Sequence, residues 1–177
     1  MPRFPMGIPA EEEAMAQPIR RILVPTDFSE YSRRAVELAI SLAERMGASV
    51  DVLHVWEPPA HLEPEILVVV PGEPGTPLET LGLAQAGRLL HAWVESYHSS
   101  PVPLQVHLER GPAAETILRF AEGGYDLVVM GTHGRTGLAR LFMGSVAQKV
   151  VARASCPVLT VHGTEAAEAA EAAQPVG

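Results

Sequence analysis

The chain has one cysteine, Cys156, in 177 residues. A single thiol excludes an internal disulfide, and a thiolate metal site would need further ligands. In "ASCPVLTV" it reads as a small buried apolar residue. Long apolar runs are also missing. "ILVVV" at 66–70 falls far short of the roughly 20 residues that span a bilayer. Residues 1–18 have no apolar signal core and carry three consecutive glutamates, so a cytoplasmic protein without a membrane partner is expected. Thirteen Lys and Arg face 21 Asp and Glu, a net charge of −8, which argues against broad nucleic-acid binding.

Several chemical signatures are absent as well. No G-x-x-x-x-G-K-[ST] string occurs, and "PTDFSE" has no glycine where a dinucleotide fingerprint belongs. The third strand pattern ends "LERG", without the aspartate a phosphoacceptor site requires. No histidine pair has zinc spacing, and no Ser/His/Asp or Cys/His set has a nucleophile turn. His54 and His107 lie inside strand patterns as packed or edge residues, whereas His133 lies in a glycine loop.

What the chain does have is alternation. Apolar runs at 20–25, 48–56, 103–111, 125–130 and 156–162 read as strands. Helical patterns fill 29–47, 78–98, 112–124 and 144–154. In the first helix Ala35, Leu38, Leu42 and Met46 share one face. The order β-α-β-α-β-α-β-α-β predicts an α/β fold whose mainly parallel sheet is covered by helices on both faces. Residues 57–77 hold six prolines and form an excursion in which "EILVVV" can pair or pack. Residues 1–18 and the Ala/Glu-rich 163–177 read as appendages to a domain at 19–162.

In such sheets ligands sit outside the carboxyl ends of the strands, which selects the loops at 25–28 and 131–143. Asp27 can stand at that crevice and accept hydrogen bonds from a ribose or base. Equally, Asp27 or Ser29 can cap the following helix. Gly131 and Gly134 permit close backbone approach, and Gly144-Ser145 opens a helix. Ser145 with Gln148 fits an S-x-x-Q capping box, and such a helix start still suits phosphate. Residues 131–153 contain Arg135, Arg140, Lys149 and Arg153 and no acidic residue, which favours an anionic partner; the alternative is a solvated helix face that happens to be basic.

Gly131-x-x-Gly134, nine residues, then Gly144-Ser145 resembles the G-x-x-G-x(9)-G-[ST] pattern of ATP-binding universal stress proteins. The likeness extends through "RILVPTDFSEYSRRAVELAISLAERMGASVDVLHV" and "YDLVVMGTHGRTGLARLFMGSVAQKVVARASCPVLTV". It implies an open five-stranded parallel sheet of order 3-2-1-4-5, Rossmann-like and similar to adenine nucleotide alpha hydrolases. It also implies a homodimer joined through the last strand, near Pro157 to His162. By the same resemblance Pro25, Thr26 and Asp27 line the adenosine end, Val55 meets the adenine, and Met130 lies near the sugar or base. Gly131, His133, Gly134, Gly144, Ser145 and Val146 hold the phosphates, and Mg²⁺ or Mn²⁺ can bridge them. The implied function is an ATP-binding regulatory stress-response dimer. The alternatives are a slow ATPase or phosphotransferase using the same pocket, and a nucleotide-free dimeric interaction module.

Overall fold

The computed structural model describes residues 18–59, 66–69, 74–132 and 143–162. Its elements follow the expected alternation. They are β1 (Arg21–Thr26), α1 (Glu30–Met46), β2 (Ser49–Trp56), β3 (Leu67–Val68), β4 (Thr76–Pro77) and α2 (Leu78–Glu95). Then come β5 (Leu104–Arg110), α3 (Ala113–Ala121), β6 (Leu127–Gly131), α4 (Ser145–Arg153) and β7 (Val158–Val161). The main sheet runs β5-β2-β1-β6-β7 with every neighbour parallel. Counting only its own strands, this is the order 3-2-1-4-5 that the resemblance implied. Strand order reverses at β1, which lies between β2 and β6, so a crevice opens at their carboxyl ends.

Period-two alternation divides the core between the two faces. Ile22, Val24, Val50, Val52 and Val129 join residues of α1 and α2 on one side. Leu23, Leu53, Val128 and Met130 join Ile117 of α3 and Val150 of α4 on the other. Each fully buried Val, Leu or Ile contributes roughly 1.5–3 kcal/mol.

The buried stripe of α1 differs from the expected one. Tyr31, Ser32, Ala35, Val36, Ala39 and Ala43 face the sheet, whereas Leu38 and Met46 are 36% and 49% exposed. Both stripes have helical spacing, but the alanine stripe lets the helix lie close against the strands. Ser29 caps this helix by accepting the Ser32 N–H at 3.3 Å, and Gly47 ends it in the left-handed conformation at φ +66°.

Part of the proline-rich excursion forms a small antiparallel ribbon, β3 with β4, extended by Leu78 N–H donating to Ile66 O at 2.8 Å. Leu67 and Val69 remain 56% and 69% exposed, so this apolar run pairs without joining the core.

Two glycines interrupt α2 with opposite consequences. A Cβ at Gly82 would lie 2.4 Å from Cζ2 of Trp56, which ends β2, whereas one at Gly87 would meet only Leu108 Cδ2 at 3.6 Å. Replacing helical glycine by alanine gains up to about 1 kcal/mol, and overpacking costs about 1–3 kcal/mol. Gly87→Ala should therefore raise the urea midpoint, while Gly82→Ala should lower it by a net of about 1 kcal/mol in unfolding free energy. Equal midpoints for the two variants would mean that Trp56 does not hold its place against α2.

Across the sheet's α3/α4 face, buried Asp51 joins several strands. Its Oδ2 accepts hydrogen bonds from Arg21 Nη2 at 2.9 Å and the Tyr125 hydroxyl at 2.5 Å, and His107 Nε2 lies 3.5 Å away. The Arg21 guanidinium also lies over the Tyr125 ring, 4.3 Å from its centroid. Burial, then the Asp51 carboxylate, pushes the Tyr125 phenol well above its ordinary pKa.

Candidate functional site

A cavity of about 210 Å³ occupies the predicted crevice. Pro25, Thr26 and Asp27 from the end of β1, and Leu53, His54 and Val55 from β2, form one wall. Met130, Gly131 and Thr132 follow from β6, and Gly144 to Ala147 from the start of α4. Ala113 and Ile117 of α3 and Ser32 of α1 complete it.

The β1–α1 turn is built tightly. Phe28 has φ +67°, a conformation that costs a bulky residue on the order of 1–3 kcal/mol. Neighbouring bonds hold it there. Phe28 N–H donates to Thr26 Oγ1 at 3.1 Å, and Thr26 Oγ1 bonds Ser32 Oγ at 3.0 Å. The Phe28 ring packs on His54 with centroids 4.3 Å apart, and Trp93 of α2 meets it edge-on at 6.0 Å. His54 Nδ1 lies 2.8 Å from Thr26 O, and since a carbonyl can only accept, that nitrogen carries the proton. Asp27 Oδ1 accepts from Ser29 N–H at 3.1 Å and from Ser29 Oγ at 2.6 Å. Ser29 thus caps the helix, and Asp27, fixed by Ser29, lines the cavity.

The start of α4 corrects one expectation. Gly144, at φ −59° and ψ 150°, is the N-cap, and no side chain caps the helix. Ser145 is the first helical residue, so the S-x-x-Q box with Gln148 does not form; Gln148 N–H donates instead to Gly144 O at 2.9 Å. The cause is tertiary. Gly144 N–H donates to Thr132 O at 2.7 Å, which draws the chain into the helical turn one residue early. The amides of Ser145, Val146 and Ala147 have no acceptor within the helix, and these residues line the cavity. The positive end of the helix dipole adds to their attraction for an anion.

Nine of the residues singled out from the sequence meet at this cavity: Pro25, Thr26, Asp27, Val55, Met130, Gly131, Gly144, Ser145 and Val146. His133 and Gly134 lie outside the described residues, as do Arg135 and Arg140. Neither Lys149 nor Arg153 lines the cavity, and Lys149 pairs with Glu115 of α3 at 3.6 Å. The basic character of α4 is therefore partly spent on its neighbour. Leu53, which shares a face with Val55 through the two-residue strand period, could have been found from the pattern. Ala113 and Ile117 carried no local signal, and Thr132 lay unnoticed between two chosen positions. No three metal-ligating side chains converge among the described residues. No described helix is long and apolar enough to cross a membrane.

Known proteins share this sequence and architecture. The sequence model of the universal stress protein family matches residues 18–162. A universal stress protein of Thermus aquaticus is 37% identical over 146 residues, covering 81% of this chain and 98% of its own. The universal stress protein MJ0531 of Methanocaldococcus jannaschii is 34% identical over 144 residues, covering 80% and 81%. Among solved structures, universal stress protein UspA from Lactobacillus plantarum superposes with a TM-score of 0.66 at 27% identity, covering 81% and 97%. Two more distant structures share the fold. One is a universal stress protein in complex with cAMP (TM-score 0.58, 22% identity, 81% and 97% covered). The other is the Archaeoglobus fulgidus protein in complex with dAMP (TM-score 0.56, 23% identity, 81% and 98% covered). The family model, the sheet order and these relatives agree: the chain belongs to the universal stress protein family.

Proposed function

We propose that the cavity binds an adenine nucleotide, with ATP as its ligand, and that the protein acts as a nucleotide-responsive regulatory dimer. One observation carries the reading. One cavity brings together the apolar side chains of Leu53, Val55, Ile117 and Met130, a carboxylate, Asp27, and a helix start without a side-chain cap. Those three surfaces suit a base, a ribose and a phosphate chain respectively. In this reading Pro25 and Thr26 flank the adenosine, Val55 and Met130 contact the adenine and sugar, and Asp27 accepts from the ribose hydroxyls. Phosphates are held by the Ser145 and Val146 amides and the Ser145 hydroxyl, and Gly131 allows the backbone to come close. Gly144 supplies a small surface rather than a donor, because its N–H is already given to Thr132. His133 and Gly134 complete the cradle.

The cAMP and dAMP complexes support the reading by showing that this fold accommodates such ligands. Mg²⁺ or Mn²⁺ would be held by the phosphates themselves. Binding is favoured over hydrolysis because the described residues at the phosphate end offer amides and hydroxyls rather than a general base. The dimer would form through β7, an edge strand on which Leu159 is 38% exposed, beside α4 with Val151 46% exposed. A cytoplasmic setting would supply the nucleotide.

Calorimetric titration with ATP and adenosine tests the site. Asp27→Asn keeps an acceptor for Ser29 but loses the charge. It should weaken both ligands by about ten-fold, the worth of a charged hydrogen bond. Weakening of ATP alone would move the ribose elsewhere, and no binding to the wild type would overturn the reading.

A further inference from the structure

We propose that Thr132 is a positioning residue for the nucleotide site, coupling the phosphate-binding start of α4 to the end of β7. The inference rests on the nucleotide reading above and deepens it. Thr132 is completely buried, yet it lines the cavity, and its polar atoms reach two other elements. Its carbonyl accepts Gly144 N–H at 2.7 Å, the bond that starts α4 one residue early. Its N–H donates to Val161 O at 3.0 Å, and its hydroxyl donates to the same oxygen at 3.2 Å. A hydroxyl has one hydrogen. With that hydrogen on Val161 O, the 3.2 Å contact to His162 Nδ1 requires the ring nitrogen to be the donor.

One residue thus sets where the α4 amides begin and holds Val161, the last residue of β7, together with His162 just after it. A ligand that pulls on the Ser145 and Val146 amides loads the Gly144–Thr132 bond next to them. The strain passes to the hydroxyl and from there to the His162 ring, across groups in direct contact. The route runs in both directions by linkage, so whatever restrains residues 161–162 also tunes affinity for the anion.

The test uses the full chain, ATP titration and ¹⁵N-resolved imidazole signals, with His162 assigned by its loss in His162→Phe. Thr132→Val keeps the β-branched shape and the backbone bonds but removes the hydroxyl; Thr132→Ser restores it. Thr132→Val should weaken ATP binding by about five- to ten-fold, while Thr132→Ser stays within about two-fold of the wild type. ATP should shift the His162 signals in the wild type and leave them unmoved in Thr132→Val. His162 is exposed, so His162→Phe should fold and weaken ATP by about two- to three-fold, with no further loss when combined with Thr132→Val. If Thr132→Val does not fold, the His162 signal and the His162→Phe affinity decide the matter. Unchanged affinity in Thr132→Val, or ATP-insensitive His162 signals in a wild type that binds ATP, overturns this proposal alone. A wild type that binds no nucleotide overturns it together with the nucleotide reading.

Discussion

Asp51→Ala is expected to reduce the unfolding free energy by about 3 kcal/mol, measured as a lower urea midpoint at unchanged slope. Asp51 is 2% exposed, and its Oδ2 receives both Arg21 and Tyr125, with His107 beside it. Removing one partner of a buried ion pair generally costs about 3–5 kcal/mol. The lower end applies because the Arg21 side chain is 43% exposed and can turn to water. The Tyr125 hydroxyl is less fortunate, and leaving such a buried donor unpaired costs about 1–3 kcal/mol. Asp51→Leu with Tyr125→Phe removes carboxylate and hydroxyl together, and should cost less than the sum of the single changes. Simple additivity would mean that the two groups do not act as a pair.

The second large effect concerns binding. Ser145→Asp should abolish measurable ATP affinity, a loss of about 100-fold or more, because like charges brought together cost several kcal/mol. Stability should move the other way. A carboxylate in the first turn of α4 complements the helix dipole by about 0.3–1 kcal/mol. A thermal scan paired with the titration therefore separates a lost ligand site from a lost fold. Retained ATP affinity in a stable Ser145→Asp protein would place the phosphates away from α4.

The alternation of strands and helices was legible because the inner strands β1 and β6 are buried on both faces and read as near-continuous apolar runs, while the edge strand β5 alternates. The crevice followed from topology, and Pro25, Thr26 and Asp27 lie at the end of one strand, Met130 and Gly131 at the end of its neighbour, around one cavity. Other features were not local. The phase of α1 was misjudged because Leu38 and Met46 outrank alanine in hydrophobicity, whereas the sheet selects for thinness. The S-x-x-Q string fits a helix that begins at Ser145 as well as one capped by it. The bond that Gly144 N–H donates to Thr132 O, across twelve residues, decides between them. Ala113 and Ile117 reach the cavity because α3 packs on β2 and α4, which no spacing within α3 reveals. The β3–β4 ribbon pairs by backbone bonds that proline content tends to hide.

The alanine seat of α1 has a mechanical consequence. Ala35, Ala39 and Ala43 are fully buried, so along this line only methyl groups separate the helix from the strands. At 1.5 Å per residue, Ala43 lies roughly 20 Å along the axis from Ser29. The helix is a stiff rod with the Asp27 turn just before its N-terminal tip. A methyl group wedged under the far end would tilt the shaft and swing the carboxylate out of line. Fit at the cavity mouth is therefore gauged by missing volume at the opposite end of the rod.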